Sequence, residues 1–223
     1  MSHAPVAKGY RKGEETRRRI LDAALREFGA AGLAGATTRR IAQEAAVNLP
    51  ALKYYFGGKE GLYLACAREI VGEYRTHMLV RLAGIRTALD QGATPETARE
   101  GLKAVLNALV DLQIGRQQSN VWMPFVLREI AEPGPAFGLL FEELWAPGVE
   151  LIADLIGRSA GESSGSTKAR LQALLLVSSL SAFSLARPIA LKFLGWPDLT
   201  AAGVEDIKAA LAQQVDELAA PPR

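Results

Sequence analysis

The sequence predicts an all-α chain in two parts, a small basic head and a larger helical body, and three observations lead there. No stretch of the 223 residues alternates β-branched and polar residues as a half-buried strand would. Ala, Leu, Glu, Arg and Gln, all strong helix formers, dominate instead. Charge is uneven: residues 1–60 carry 11 Lys/Arg against 6 Asp/Glu, and residues 61–223 carry 15 against 18. A basic head on a mildly acidic body suits a head that meets phosphate.

Residues 1–12 read as a basic flexible tail, with too little apolar surface to dock. A first helix is expected from Glu14 to Ala31, with Ile20, Leu21, Ala24, Leu25 and Phe28 as its apolar stripe and Gly32 as its stop. Arg17, Arg18 and Arg19 precede that stripe, as a solvated face or as phosphate contacts. A short helix over Thr38–Ala45, a tight turn at Ala46-Val47 and a helix over Asn48–Phe56 follow, and Gly57-Gly58 ends the last. A long helix starts near Lys59 and runs past Leu82. Further helices are expected near 95–118, 119–131, 135–145, 147–157, 166–194 and 200–219, punctuated by Pro95, Pro133, Pro135, Pro147 and Pro197. Residues 161–167 read as a flexible loop.

The short helices need the first as a third wall, because two of two to three turns bury too little alone. Ile41, Ala42, Ala45, Val47, Leu52 and Phe56 have the spacing to face Leu21, Leu25 and Phe28. A three-helix unit of this kind leaves the outer face of its third helix free to enter a DNA major groove. Thr37 is placed as an N-cap. Acidic residues usually follow such a cap, yet Thr38, Arg39 and Arg40 do here, which a phosphate docked at that helix end would favour. The alternative is that both arginines point to solvent or find Glu44. Asn48 caps the third helix, Pro50 sits harmlessly in its first turn, and Ala51 permits close approach to a thymine methyl. Tyr54 and Tyr55 point about 100° apart, so one packs beside Phe56 and the other meets the DNA backbone. Lys53 and Lys59 suit phosphates as point charges. The expected DNA-contacting set is Thr37, Thr38, Arg39, Arg40, Asn48, Leu49, Ala51, Lys53, Tyr54, Tyr55 and Lys59.

The segment Thr37-Thr38-Arg39-Arg40-Ile41-Ala42, then Ala45-Ala46-Val47-Asn48, then Lys53-Tyr54-Tyr55-Phe56-Gly57-Gly58-Lys59-Glu60-Gly61-Leu62 resembles the signature of the TetR family of bacterial regulators. The match covers about residues 13–65. Ala46 stands where the family usually has a turn glycine, so that turn is one that alanine tolerates or one that carries strain. Lys53 replaces a tyrosine often used on phosphate. Leu62–Ala67, Phe125–Glu129 followed by Pro133, and Gly195-Trp196-Pro197 resemble the CecR-type C-terminal domain. The resemblance implies a helix-turn-helix DNA-binding domain over 13–58, with its motif at 37–56, and a helical regulatory and dimerisation domain over 59–223. It further implies a double-stranded DNA operator, a homodimer, and a small-molecule effector of unidentified structure, of a branch linked to toxic or antibiotic compounds. The expected activity is that of a ligand-released repressor of nearby genes.

For dimerisation, Leu171, Leu174, Leu175, Val177, Ser178, Ala182 and Leu185 form a broad stripe with small residues set in it. The resemblance implies that this helix and the last one pair with their copies. A core helix inside a monomer is the competing reading. For the effector, Tyr74, His77, Trp122, Phe125, Arg128, Glu129, Phe137, Phe141 and Trp145 are the candidate contacts, though each aromatic fits plain core as well. Arg128 and Glu129 are either ligand-orienting groups or structural charges.

Other classes fare worse. No nucleophile–base set, metal cluster or phosphate loop is visible, so neither an enzyme nor a cofactor nor a bound metal is expected. Cys66 stands alone, which favours a reducing, cytoplasmic setting. Met1–Lys12 has no apolar core of a signal peptide, and Leu171–Ala186 is too short to span a bilayer, so no membrane role is expected. A helical small-molecule carrier without DNA activity explains the body but not the basic head. Activation rather than repression is the other alternative.

Overall fold

In the computed structural model the described residues are 6–114, 119–161 and 165–218, without the side chains of 6–11, 77, 79–81, 86, 119 and 120. The described residues form helices α1 (Val6–Gly35), α2 (Thr38–Glu44), α3 (Leu49–Phe56), α4 (Lys59–Asp90), α5 (Pro95–Gln113), α6 (Ser119–Ala131) and α7 (Phe137–Leu140). A π-helical turn (Phe141–Trp145) leads into α8 (Ala146–Ser159), α9 (Thr167–Ser179), α10 (Ser181–Ser184), α11 (Arg187–Leu194) and α12 (Ala201–Leu218). Local chemistry sets many of these starts. Thr37, Asn48, Thr94 and Ser166 each accept a backbone N–H from three residues on. Prolines occupy the first turns of α3, α5, α8 and α11.

Two expected boundaries differ. Helix α1 begins at Val6 rather than near Glu14, so residues 6–12 are helical and not a tail, because a run of helix-favouring residues extends an existing helix at little cost. Residues 1–5 lie outside the described residues. The helical path of α1 does break at Gly32 (φ 69°, ψ 178°), where the expected helix ends. The single helix expected over 166–194 is three pieces, with an 81° bend between Thr167–Ser184 and Arg187–Leu194. Serine hydroxyls compete with the backbone ladder there: Ser179 donates to Leu176 O at 2.7 Å, Ser184 to Leu180 O at 3.3 Å, and Ser181 to Ser178 O. Pro188 then disfavours continuous helix through Arg187.

Packing divides the chain into two compact units, Met1–Glu73 with Gln117–Phe141, and Tyr74–Arg116 with Glu142–Arg223. The start of α4 and all of α6 thus belong to the first unit. In the first unit Ile20, Leu21, Leu25, Phe28, Ile41, Leu52, Leu62, Tyr63, Ile70 and Phe125 are buried. Val47 and Phe56, expected beside them, are half-buried. Gly29 is what lets α6 cross α1: a Cβ there would lie 2.9 Å from Pro124 Cβ. Helices α2 and α3 are too short to cover α1, and α6 packs on it as well.

In the second unit α5 packs between α8 and α12, and α9 packs on α8. Leu102, Val105, Leu106, Leu109, Ile152, Leu155, Ile156, Leu176, Ile207, Leu211 and Val215 form its core. Lys103 to Asp216 and Lys208 to Asp111, both 2.8 Å, tie α5 to α12. The buried residues of α12, Gly203, Ile207, Leu211 and Val215, are on the face covered within the chain. Leu171, Leu174, Leu175, Leu185, Ile189, Phe193 and Leu194 are exposed. Among the described residues no single helix is long and apolar enough to cross a membrane.

Candidate nucleic-acid interface

Helix α2 is short, and its N-terminus carries the first group of expected DNA contacts. Thr37 is extended (φ −122°, ψ 134°), and its hydroxyl accepts the Arg40 N–H at 3.2 Å. Thr37, Arg39 and Arg40 are exposed and Thr38 is half-buried. Arg40 is exposed but paired. Its Nη2 lies 3.3 Å from Oε2 of Glu27, a carboxylate only 4% exposed on α1. Glu44, the expected alternative partner, is held by Arg26 at 2.5 Å. Among the described residues, Arg39 is the α2 arginine that makes no ion pair. Arg17 lies 3.7 Å from Glu69 and over the Phe56 ring at 5.7 Å, so it braces the head rather than facing outward.

The turn between α2 and α3 is tight because two hydrogen bonds close it. Ala46 N–H donates to Gln43 O at 3.1 Å and Val47 N–H to Ala42 O at 2.9 Å, a Schellman pair around Ala46. Ala46 has φ +52°, the left-handed conformation that glycine adopts without a Cβ penalty. Alanine holds it under strain.

Helix α3 then starts at Asn48, whose Oδ1 accepts Ala51 N–H at 3.0 Å, and ends at left-handed Gly57. Helical spacing sorts its side chains into two faces. Leu52 is buried and Tyr55 and Phe56 are half-buried on the inner face. Leu49, Pro50, Lys53 and Tyr54 are exposed on the other, with Ala51 half-buried between. Tyr54 is 84% exposed and meets Tyr55 edge-on at 5.2 Å, so Tyr54 is the outward member of the pair. Lys59, another expected contact, is half-buried and donates to Ala34 O at 3.2 Å, a favourable place for a cation at a helix C-terminus that leaves two of its three N–H donors for other acceptors.

The expected effector contacts fall on both units. Trp122, Phe125, Arg128, Glu129, Phe137 and Phe141 belong to the first unit, and Tyr74 and Trp145 to the second. The side chain of His77 lies outside the described residues. Phe125 and Glu129 are buried, and Glu129 accepts from Tyr63 Oη at 2.5 Å and from Gly134 N–H at 3.2 Å. Arg128 donates to the carbonyls of Gly29 at 3.4 Å and Ala30 at 3.0 Å, just before the break at Gly32. Arg128 and Glu129 therefore have structural partners in the head. Burial, then the hydrogen bond and charge of Glu129, hold the Tyr63 hydroxyl above the ordinary tyrosine range. Tyr74 is raised as well, by burial. Phe137 and Phe141 stack at 6.2 Å, and Phe141 is exposed.

Two residues that shape the site carry signals that periodicity alone underuses. Glu27 falls seven residues after Ile20 in the buried stripe of α1, where an acid is out of place. Tyr63 follows Leu62 at the start of α4, and its ring sits edge-on to Phe28 at 4.8 Å and tilted against Phe125 at 4.6 Å. Among the described residues no cluster of three or more His, Cys, Asp or Glu could hold a metal ion.

Comparison with known proteins agrees with this geometry. Residues 20–66 match the model described as bacterial regulatory proteins, tetR family, and residues 98–220 match the C-terminal domain of the HTH-type transcriptional dual regulator CecR. The chain is 32% identical to that dual regulator from Shigella flexneri over 192 residues, covering 83% of this chain and 82% of the relative. A transcriptional regulator from Pseudomonas aeruginosa PAO1 superposes with a TM-score of 0.60 at 19% identity, over 90% of each chain. AibR, solved with isovaleryl coenzyme A and operator DNA, gives 0.59 at 16% identity, over 89% of this chain and 97% of that one. With an exposed reading face on α3 and both family models matched in order, the chain belongs to the TetR family of bacterial regulators, carries a CecR-type C-terminal domain, and is a DNA-binding transcriptional regulator.

Proposed function

We propose that this regulator works as a homodimeric repressor released from its operator by a small molecule. The observation that carries the DNA side is the open face of α3, where Leu49, Lys53 and Tyr54 stand outward beside Asn48, while Leu52 anchors the helix from behind. Arg39, Lys53 and Tyr54 are the backbone contacts in this reading, with Thr37 and Thr38 beside them. Asn48, Leu49 and Ala51 read base edges. The dimer is supported by seven large apolar residues left exposed between Leu171 and Leu194, with Phe193 at 89%. A patch of that kind marks an interaction surface, and a second copy is the partner a symmetric operator calls for. Six of the seven lie on α9 and α11.

An effector bound in the regulatory part shifts the population between DNA-fitting and non-fitting arrangements. In the second unit Tyr74 and Trp145, with His77 on the same helix as Tyr74, are its candidate contacts. That AibR holds both a coenzyme A thioester and operator DNA supports the compatibility of this fold with two such ligands. The name of the Shigella flexneri relative, a dual regulator, favours a second reading in which the same protein activates some promoters.

The test is a gel shift with DNA from upstream of the chain's own gene, alongside sedimentation of wild type and Phe193→Glu. Retarded DNA bound by a dimer, and a monomer for the variant, is the expected pattern. A wild-type monomer at micromolar concentration that still binds DNA would end the dimer reading. For release, operator DNA must weaken the effector by the factor by which the effector weakens DNA.

A further inference from the structure

We propose that Glu27 is a positioning residue for DNA reading: from α1 it completes the N-terminal cap of α2 and holds Arg40 in place. In a capping box the N-cap hydroxyl accepts the N–H three residues on, and a Glu or Gln at that third position accepts the N-cap N–H in return. Helix α2 has the first half, Arg40 N–H to Thr37 Oγ1 at 3.2 Å. The second half is missing from its own sequence, because position three is an arginine with no acceptor. Glu27 supplies it from another helix: Thr37 N–H donates to Glu27 Oε1 at 3.3 Å. The other carboxylate oxygen lies 3.3 Å from Arg40 Nη2. One buried carboxylate thus serves as the absent acceptor, as counter-ion to Arg40, and as the anion that a helix N-terminus favours.

The location of the acceptor has a mechanical consequence. A cap made within α2 would stabilise that helix wherever it lay. A cap made from α1 is satisfied only when α2 occupies one place on α1, and leaving Glu27 there without its partners is costly. Helix α3 packs on α2 through the turn at Ala46, so the orientation of the α3 face follows. Arg40 is meanwhile paired at Nη2, which biases where its exposed guanidinium lies and so which phosphate it can take. Glu27 thereby favours discrimination between DNA sequences over adhesion to any DNA. This rests on the family's DNA reading, from which its test separates it.

The full-length chain is first used to enrich a duplex from a random-sequence pool, and affinities are measured for that duplex and a scrambled one. Failure of the wild type to enrich any sequence would count against the DNA reading itself. Glu27→Ala lowers the ratio of the two affinities by about tenfold, the scale of a lost cap. Glu27→Gln keeps an acceptor for Thr37 N–H but loses the ion pair. It lowers the ratio less, and frees Arg40, so the salt dependence on scrambled DNA steepens by about one phosphate contact. Glu27→Ala combined with Arg40→Gln restores a capping box inside α2. The thermal midpoint recovers, while discrimination stays low. An unchanged ratio in Glu27→Gln overturns the proposal even if Glu27→Ala does not fold. Recovery of discrimination together with stability in the double variant also overturns it, because capping alone would then be the role.

Discussion

The Tyr63 hydroxyl donates to the Glu129 carboxylate at 2.5 Å, with both side chains buried, and this bond joins the start of α4 to α6 inside the head. Removing the hydroxyl leaves a buried carboxylate oxygen without that donor. Tyr63→Phe is expected to lower stability by about 1–3 kcal/mol in urea unfolding. The sign with pH follows from the raised hydroxyl, because the folded state holds the phenolic proton more tightly than the unfolded chain does. Its contribution is complete below the ordinary tyrosine value of about 10 and is lost as pH rises through the folded value. Wild type should therefore lose stability above that pH more steeply than Tyr63→Phe; parallel curves would show that this hydroxyl is not the group responsible.

Ala46 holds φ +52° at the turn between the two reading helices. Relief of that strain, set against glycine's greater freedom in the unfolded chain, gives a net gain of about 1 kcal/mol for Ala46→Gly. Thermal unfolding measures it. A lower midpoint would mean that the methyl group contributes more than the strain costs.

Cys66 is fully buried, and burial, followed by the charges of Glu69 and Asp22, pushes its thiol above the ordinary range. Neither exposure nor thiolate is available to an alkylating reagent. Iodoacetamide should label the native chain only at the rate of its opening and label it promptly in denaturant. Equal rates in the two conditions would place Cys66 at a surface.

The two sets of expected DNA contacts should separate by experiment. Arg39→Ala and Lys53→Ala each weaken binding to selected and scrambled duplexes alike, and each reduces the salt slope by about 1. Tyr54→Phe, losing one hydroxyl, should act in the same uniform way. Asn48→Ala or Ala51→Ser should instead change which sequence is enriched. Loss of preference at one base pair in Lys53→Ala, with general affinity intact, would move Lys53 to the base-reading set.

The reading head was legible in the sequence because its signals are local. Thr37 and Asn48 announce helix starts by the N–H groups they accept, and Gly57 announces a stop by its conformation. The spacing of Ile41 and Leu52 against Leu21 and Phe28 says which faces turn inward. Near neighbours along the chain settle these matters, so a window of a few residues contains the physics. The apolar stripe at Leu171–Leu185 was equally visible, but the serine-assisted break that ends it was not.

Partner choice among polar groups was decided only by tertiary structure. Arg40 could have taken Glu44, solvent or phosphate, and it lies against Glu27, which also accepts from Thr37 ten residues along the chain. Arg128 and Glu129 read equally as ligand groups or structural charges, and they bond Gly29 and Tyr63 across 99 and 66 residues of sequence. Lys59 turned to Ala34 O. A buried charge takes the partner that packing brings within reach. Apolar residues need only a common face, which periodicity encodes, whereas hydrogen bonds and ion pairs need specific atoms within about 3 Å, and which atoms those are is fixed when α6 crosses α1 at Gly29.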